Sequence, residues 1–218
     1  MSTILLIIIA ITAIVSYMGF QNYATFEKYK FNVSSILYRK EYVRLLSSGL
    51  LHGDWMHLIF NMLTLYFFGP IVIQAFGEFG FLLIYLGSIL LGNLFSLYIY
   101  KKQGWYSAIG ASGGVSGVLF AAIAIYPQLG IYMFFIPIPI PGYLFGLAYF
   151  GYSVYSMLNP RQNDMIGHAA HLGGAFFGLV YSVMFAPIAA ASNALYLFIM
   201  ALPLLYLAYE IFVKKRIG

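Results

Sequence analysis

Cysteine is absent from all 218 residues. No disulfide can brace the fold, no thiolate can serve as nucleophile or metal ligand, and the redox state of the compartment leaves no trace in the chain. Charge is nearly as scarce. Asp, Glu, Lys and Arg make up 8% of the residues, against about 25% in a typical soluble domain. With 62% hydrophobic residues and a mean hydropathy of +0.88, the composition excludes a soluble globular protein and is that of a polytopic membrane protein. No polar stretch is long enough to build a sizeable soluble domain beside the membrane. The net charge of +5 is ordinary for a membrane protein, and nucleic acid is not an expected partner. The six acids, Glu27, Glu41, Asp54, Glu78, Asp164 and Glu210, all fall in loops or near the ends of apolar runs, which argues against a pair of catalytic carboxylates within the membrane. His-Glu-x-x-His does not occur, so a zinc hydrolase on that pattern has no support. No internal repeat is visible, and with it goes the main sign of an inverted-repeat transporter.

What is present is a series of apolar runs that read as helices. A bilayer core is about 30 Å thick and takes about 20 apolar residues to cross. Runs at 4–20, 55–75, 81–98, 143–157, 167–185 and 194–213 approach that length, and a shorter one lies at 112–126. Twenty Phe and twenty Tyr suit lipid contact and interfacial belts. The first run resembles a signal peptide in length, but it lacks a basic leader and a small-x-small cleavage site, so a retained helix is expected. The longest loop, 21–53, interleaves Lys28, Lys30, Arg39, Lys40 and Arg44 with Phe31, Tyr38, Tyr42 and Leu45. That mixture predicts a structured, partly interfacial element rather than a solvated linker. Gly69-Pro70 predicts a bend near the end of the second run, and alternating prolines predict an extended connector over 131–141.

The stretch Gly110-Ala111-Ser112-Gly113-Gly114 opens the shortest run. A helix of about 15 residues starting at Ser112 spans roughly 22 Å, which places its serine below the membrane surface as a candidate nucleophile. His57 and Asn61 are one turn apart on one helix face, where both can donate hydrogen bonds to a developing oxyanion; bonding to neighbouring helices is the plainer alternative. His168 and His171 also share a face. Gly174-x-x-x-Gly178 and Gly113-x-x-x-Gly117 let two helices approach closely, which would bring Ser112 Oγ near His171 as a serine–histidine dyad. A histidine in apolar surroundings stays neutral and is able to act as base. No acid is placed to complete a triad. The span count puts His52, His57, Ser112, His168 and His171 on one membrane face. Four histidines could instead hold zinc or copper, but that leaves Ser112 and Asn61 without a purpose, so no metal or other cofactor is expected.

These residues resemble the rhomboid family of intramembrane serine proteases over roughly 41–178. His52-x-x-x-x-His57-x-x-x-Asn61, Gly110-x-Ser112-Gly113 and Ala170-His171-Leu172-Gly173-Gly174 occur in the family's order, and three linked motifs are far more specific than a lone Gly-x-Ser-Gly. The resemblance implies Ser112 as nucleophile and His171 as general base. It implies an oxyanion hole of His57, Asn61 and the Ser112 N–H. His52 looks like the histidine that orders the neighbouring loop network, and it supports the site together with Gly110, Gly113, His168 and Gly174. The implied fold is all-α: a polytopic helical bundle forming a single membrane domain over 1–218, with a six-helix core over 1–187 and an additional helix over 194–213. Two positions depart from the pattern. Val43 stands before Arg44 where tryptophan is common, and Ser116 stands where some members carry an aromatic that packs on the histidine. The orienting group for His171 is then expected from His168 or a neighbouring aromatic.

The expected activity is hydrolysis of peptide bonds in or near transmembrane segments, with transmembrane proteins as substrates and the bilayer as surroundings. A non-catalytic rhomboid-like binder of membrane proteins and a small-solute transporter are the other classes considered. The expected location is the cell membrane, with the site opening to the extracytoplasmic face as in the family. The positive-inside rule argues the other way, since all eleven Lys and Arg lie on the face that carries the site.

Overall fold

The computed structural model describes residues 2–133, 136–161, 164 and 166–217. Helix α1, Thr3–Gln21, carries no charge. The loop after it folds into α2 (Tyr23–Tyr29), β1 (Phe31–Asn32), α3 (Val33–Leu37) and α4 (Arg44–Ser47). Asn22 and Asn32 cap α2 and α3 by accepting hydrogen bonds from Thr25 N and Ser35 N, satisfying donors that a helix start leaves free. Arg44 is buried at the centre of this loop. It donates to Glu41 Oε2 at 2.5 Å, and to the carbonyls of Glu27 and Lys30 at 2.7 Å each. That guanidinium holds the Glu41 carboxyl below its usual pKa. The loop is therefore structured, as its mixed composition predicts. Strand β1 pairs antiparallel with β2, Ser107–Ala108, which ties the loop to the segment leading into Ser112.

Helix α5, Trp55–Tyr100, is capped by Asp54 and broken at Gly77, where φ is 73° and ψ 174°. Asn93 in its second arm donates to Leu45 O and Ser48 Oγ. Gly110, packed against the His57 ring, donates to Ser48 O. In a straight helix residues 57 and 93 would stand about 54 Å apart, so both can meet Ser48 only if the chain reverses at Gly77. Glycine adopts that φ without a Cβ clash. The break thus falls between the runs expected at 55–75 and 81–98, and not at Gly69-Pro70, where a bend is expected. Pro70 stays inside the first arm, and the space at Gly69 receives Leu5 of α1.

Helix α6, Ser112–Ile125, is the axis of the bundle, with every residue from Gly113 to Ala124 buried. It packs between α5 and α8, His168–Phe185. Between α6 and α7 (Gly142–Leu158) the proline-rich connector forms an antiparallel pair, β3 (Gly130–Met133) and β4 (Ile136–Pro141). Phe134 and Phe135 of that connector lie outside the described residues. A short α9, Pro187–Ser192, leads to α10, Ala194–Ala208, which runs on through a π turn, Tyr209–Val213. Helix α10 packs on α7, where Met200 fills the space beside Gly146 and Phe120. Among the described residues, α1, α5, α8 and 194–213 are long and apolar enough to cross a membrane, while α6 is shorter. The chain is a polytopic helical membrane bundle, and the short strand pairs lie only in its connectors.

Candidate active site

Close helix contact creates the site. A Cβ on Gly174 would overlap the Gly113 carbonyl, and one on Gly178 would overlap the Gly117 carbonyl. The two small-residue faces read from the sequence therefore press against each other, α6 on α8. A Cβ on Gly92 of α5 would likewise overlap the carbonyl of Ala170. This threefold approach sets Ser112, the first residue of α6, beside His171, in the first turn of α8. Ser112 Oγ and His171 Nε2 are 2.7 Å apart, a hydrogen bond at the short end of the usual range. Both residues are half-buried, so the pair stays open to a reactant.

His57 and Gly110 close another side. Gly110 has φ 118°, a conformation that strains any L side chain. The point where its Cβ would lie is 2.8 Å from both Cε1 and Nε2 of the His57 ring and 3.5 Å from Ser112 Oγ. Glycine here lets imidazole, backbone and hydroxyl converge. His57 is held at the start of α5 by its own N–H, which donates to Asp54 Oδ1 at 2.8 Å. Asn61 lies one turn on and is buried. One of its amide hydrogens goes to the His57 carbonyl at 2.9 Å, which leaves the second for a reactant. The Ser112 N–H stands at the start of α6, where helix donors have no partner within the helix.

His52 lies behind this face and is fully buried. Its Nε2 accepts from Ala111 N at 3.3 Å, so the ring proton sits on Nδ1 and is donated to Ser16 Oγ at 2.8 Å. Ser16 in turn donates to Leu50 O at 2.8 Å. Burial pushes the His52 pKa down to about 3, which keeps the ring neutral and this relay intact. His52 thus links α1, the first loop and the residue preceding Ser112.

Two partners escape sequence reasoning. Among the described residues, no hydrogen bond or ring contact joins His168 to His171. His168 is 5% exposed and bonds Asp164 at 3.1 Å, whose carboxyl pKa is lowered chiefly by the Ile166 N–H and also by His168. The group beside His171 is Tyr149 of α7, with rings 6.2 Å apart and 20° from parallel. Ser116 Oγ hydrogen-bonds the Tyr149 hydroxyl at 2.8 Å. The serine that replaces an aromatic on α6 thus holds an aromatic supplied by α7. The missing ring at 116 was the only signal, and it did not say which helix would answer.

A model of the Rhomboid domain matches residues 39–188. Rhomboid protein 1, mitochondrial, of Saccharomyces cerevisiae is 30% identical over 161 residues, covering 70% of this chain and 46% of that protein. RHOMBOID-like protein 12, mitochondrial, of Arabidopsis thaliana is 32% identical over 146 residues, covering 60% of this chain and 43% of that protein. Rhomboid protease AarA of Providencia stuartii is 30% identical over 155 residues, covering 63% and 54%. The chain thus spans about half the length of these relatives. The cell-membrane location expected from the sequence is corrected by the first two relatives, which are mitochondrial by name. The extracytoplasmic opening tied to it is withdrawn as well. Hydropathy registers the thickness of a bilayer, not the compartment it bounds.

Proposed function

This chain belongs to the rhomboid family, and we propose that it is an intramembrane serine endopeptidase, cutting peptide bonds in or near transmembrane segments of other membrane proteins with Ser112 and His171. The observation that carries the reading is the 2.7 Å hydrogen bond between Ser112 Oγ and His171 Nε2. As Oγ attacks the scissile carbonyl carbon, its proton passes to His171 Nε2. The carbonyl electrons move onto the oxygen, which is held by the Ser112 N–H, the His57 ring and the free Asn61 hydrogen. Collapse of that intermediate expels the amine, which takes the proton from His171. Water then repeats the sequence on the acyl-enzyme. The catalytic core is proposed to span 1–187, with 194–213 as an added helix. The test is a fluorophosphonate probe on the purified chain, together with cleavage of a single-span substrate in liposomes. Wild type should be labelled and Ser112→Ala should not. A folded wild type that is neither labelled nor able to cleave any single-span protein would leave a non-catalytic membrane-protein binder as the reading.

The oxyanion donors have a separate signature. Asn61→Ala and His57→Ala are each expected to lower kcat by about 10²–10³ with little change in KM, since such donors act on charge that develops in the transition state. A wild-type kcat in both variants would remove them from the mechanism.

Tyr149 is proposed to set the angle of the His171 ring. Tyr149→Phe keeps the stacked ring and should retain most activity. Tyr149→Leu is expected to lower kcat about ten- to a hundred-fold through a misplaced base, with KM nearly unchanged. Equal loss in both variants would mean that the hydroxyl, and not the ring, is what matters.

A further inference from the structure

We propose that the groove between α5, α8 and α10 binds one acyl chain of an anionic phospholipid, whose phosphate is held by Lys101 and Lys215. The groove encloses about 450 Å³, and every residue lining it is apolar, among them Leu94, Phe95, Phe176, Leu204, Leu207 and Ile211. All lie on helices long and apolar enough to cross a membrane. A groove with no hydrogen-bonding side chain selects hydrocarbon, because a polar group buried there would go unpaired. A partner helix is a poor fit. Helix pairs in membranes close on small residues spaced four apart along one helix, whereas the small residues here, Gly173 and Ala208, stand on different helices among Leu and Phe. A flexible methylene chain can follow such walls.

Charge at one end distinguishes the groove from bulk lipid contact. It runs along α5 from Leu91 to Phe95 and along the last helix from Leu204 to Phe212, so it opens toward the end where those helices reach Lys101 and Lys214. The Lys101 amine folds back to 4.4 Å from the centre of the Tyr98 ring, and Tyr98 is one turn past Leu94 on the same face. Beyond Lys214 the backbone turns at Lys215, φ 52°. Phe212, three residues before Lys215, lines the groove together with Leu94 and Phe95 of α5, so both lysines stand past its end on chains that form its walls. Lys214 is engaged by Glu210 at 3.2 Å and Arg216 by Leu158 O at 3.4 Å, so the phosphate falls to Lys101 and the exposed Lys215. The α8 wall begins at Leu172, next to His171, so an occupied groove bears on the helix that carries the proposed base.

Native mass spectrometry of the full chain, released from nanodiscs of equal phosphatidylglycerol and phosphatidylcholine, tests this without reference to proteolysis. One phosphatidylglycerol should remain bound, preferred over phosphatidylcholine by roughly thirty-fold for two lysines at the membrane surface. Ala208→Trp, filling the groove from its wall, should lose the lipid. Phe176→Ala, which removes chain contacts, should weaken retention and serves if the tryptophan variant does not fold. Lys101→Gln with Lys215→Gln should keep a bound lipid and erase the preference. Wild type that retains no lipid or shows no preference, groove variants that retain it fully, or a protein dimer that Ala208→Trp abolishes would each overturn the proposal.

Discussion

Ser112→Ala and His171→Ala are each expected to lower kcat on a single-span substrate by about 10⁴–10⁶, and the double variant is expected to be no slower than the worse single one. The non-additivity is the sharper half of the result. If Oγ attacks while Nε2 removes its proton across their 2.7 Å bond, neither group has a catalytic role without the other. Losses in the double variant that multiply would mean that the two residues act in separate steps. The remaining activity would come from the oxyanion donors and substrate binding, which in serine proteases persist after the nucleophile or base is lost. His171→Ala that still reacts with a fluorophosphonate at the wild-type rate would sink the base assignment. His168 is a poor substitute in that event, because it is buried and its Nε2 is committed to Asp164 at 3.1 Å.

The long helices were legible because each is an apolar run, most of them bounded by Gly, Pro or charge, and the bilayer imposes a length on such runs. The approach of α6 to α8 was also legible, since two Gly-x-x-x-Gly faces announce it from local spacing alone. The reversal in α5 was legible as the gap between the runs 55–75 and 81–98, which holds Gly77, but not as a signal of its own. Gly69-Pro70 carries the stronger local signal for a bend, yet a membrane helix accommodates proline when its surroundings satisfy the freed carbonyl, and the chain turns at Gly77 instead. The partners of His171 and His168 were beyond reach for a different reason. Tyr149 stands 22 residues before His171, on another helix, and is one of twenty tyrosines; only packing selects it. The tie of His52 to Ser16 of α1 is long-range in the same way. Compartment was least legible, because neither hydropathy nor the placement of lysine and arginine names a membrane.

Gly174→Ala is expected to abolish fluorophosphonate labelling by at least about a hundred-fold while leaving the helix content of the protein unchanged. The added Cβ would overlap the Gly113 carbonyl, which belongs to the α6 backbone one residue after Ser112 and cannot rotate away. The contact can be relieved only by moving α6 away from α8. A displacement of about 1 Å between reacting groups is enough to cost a hundred-fold in rate, and here it acts directly on the Ser112–His171 separation. Helices whose backbone hydrogen bonds are internal survive such a shift in lipid, so far-ultraviolet circular dichroism should not change. Gly151→Ala supplies the control, since nothing lies within 4 Å of the position its Cβ would take, and it should label as wild type does. Labelling of Gly174→Ala at the wild-type rate would show that the helices yield without separating Ser112 from His171, and that the glycines serve packing alone.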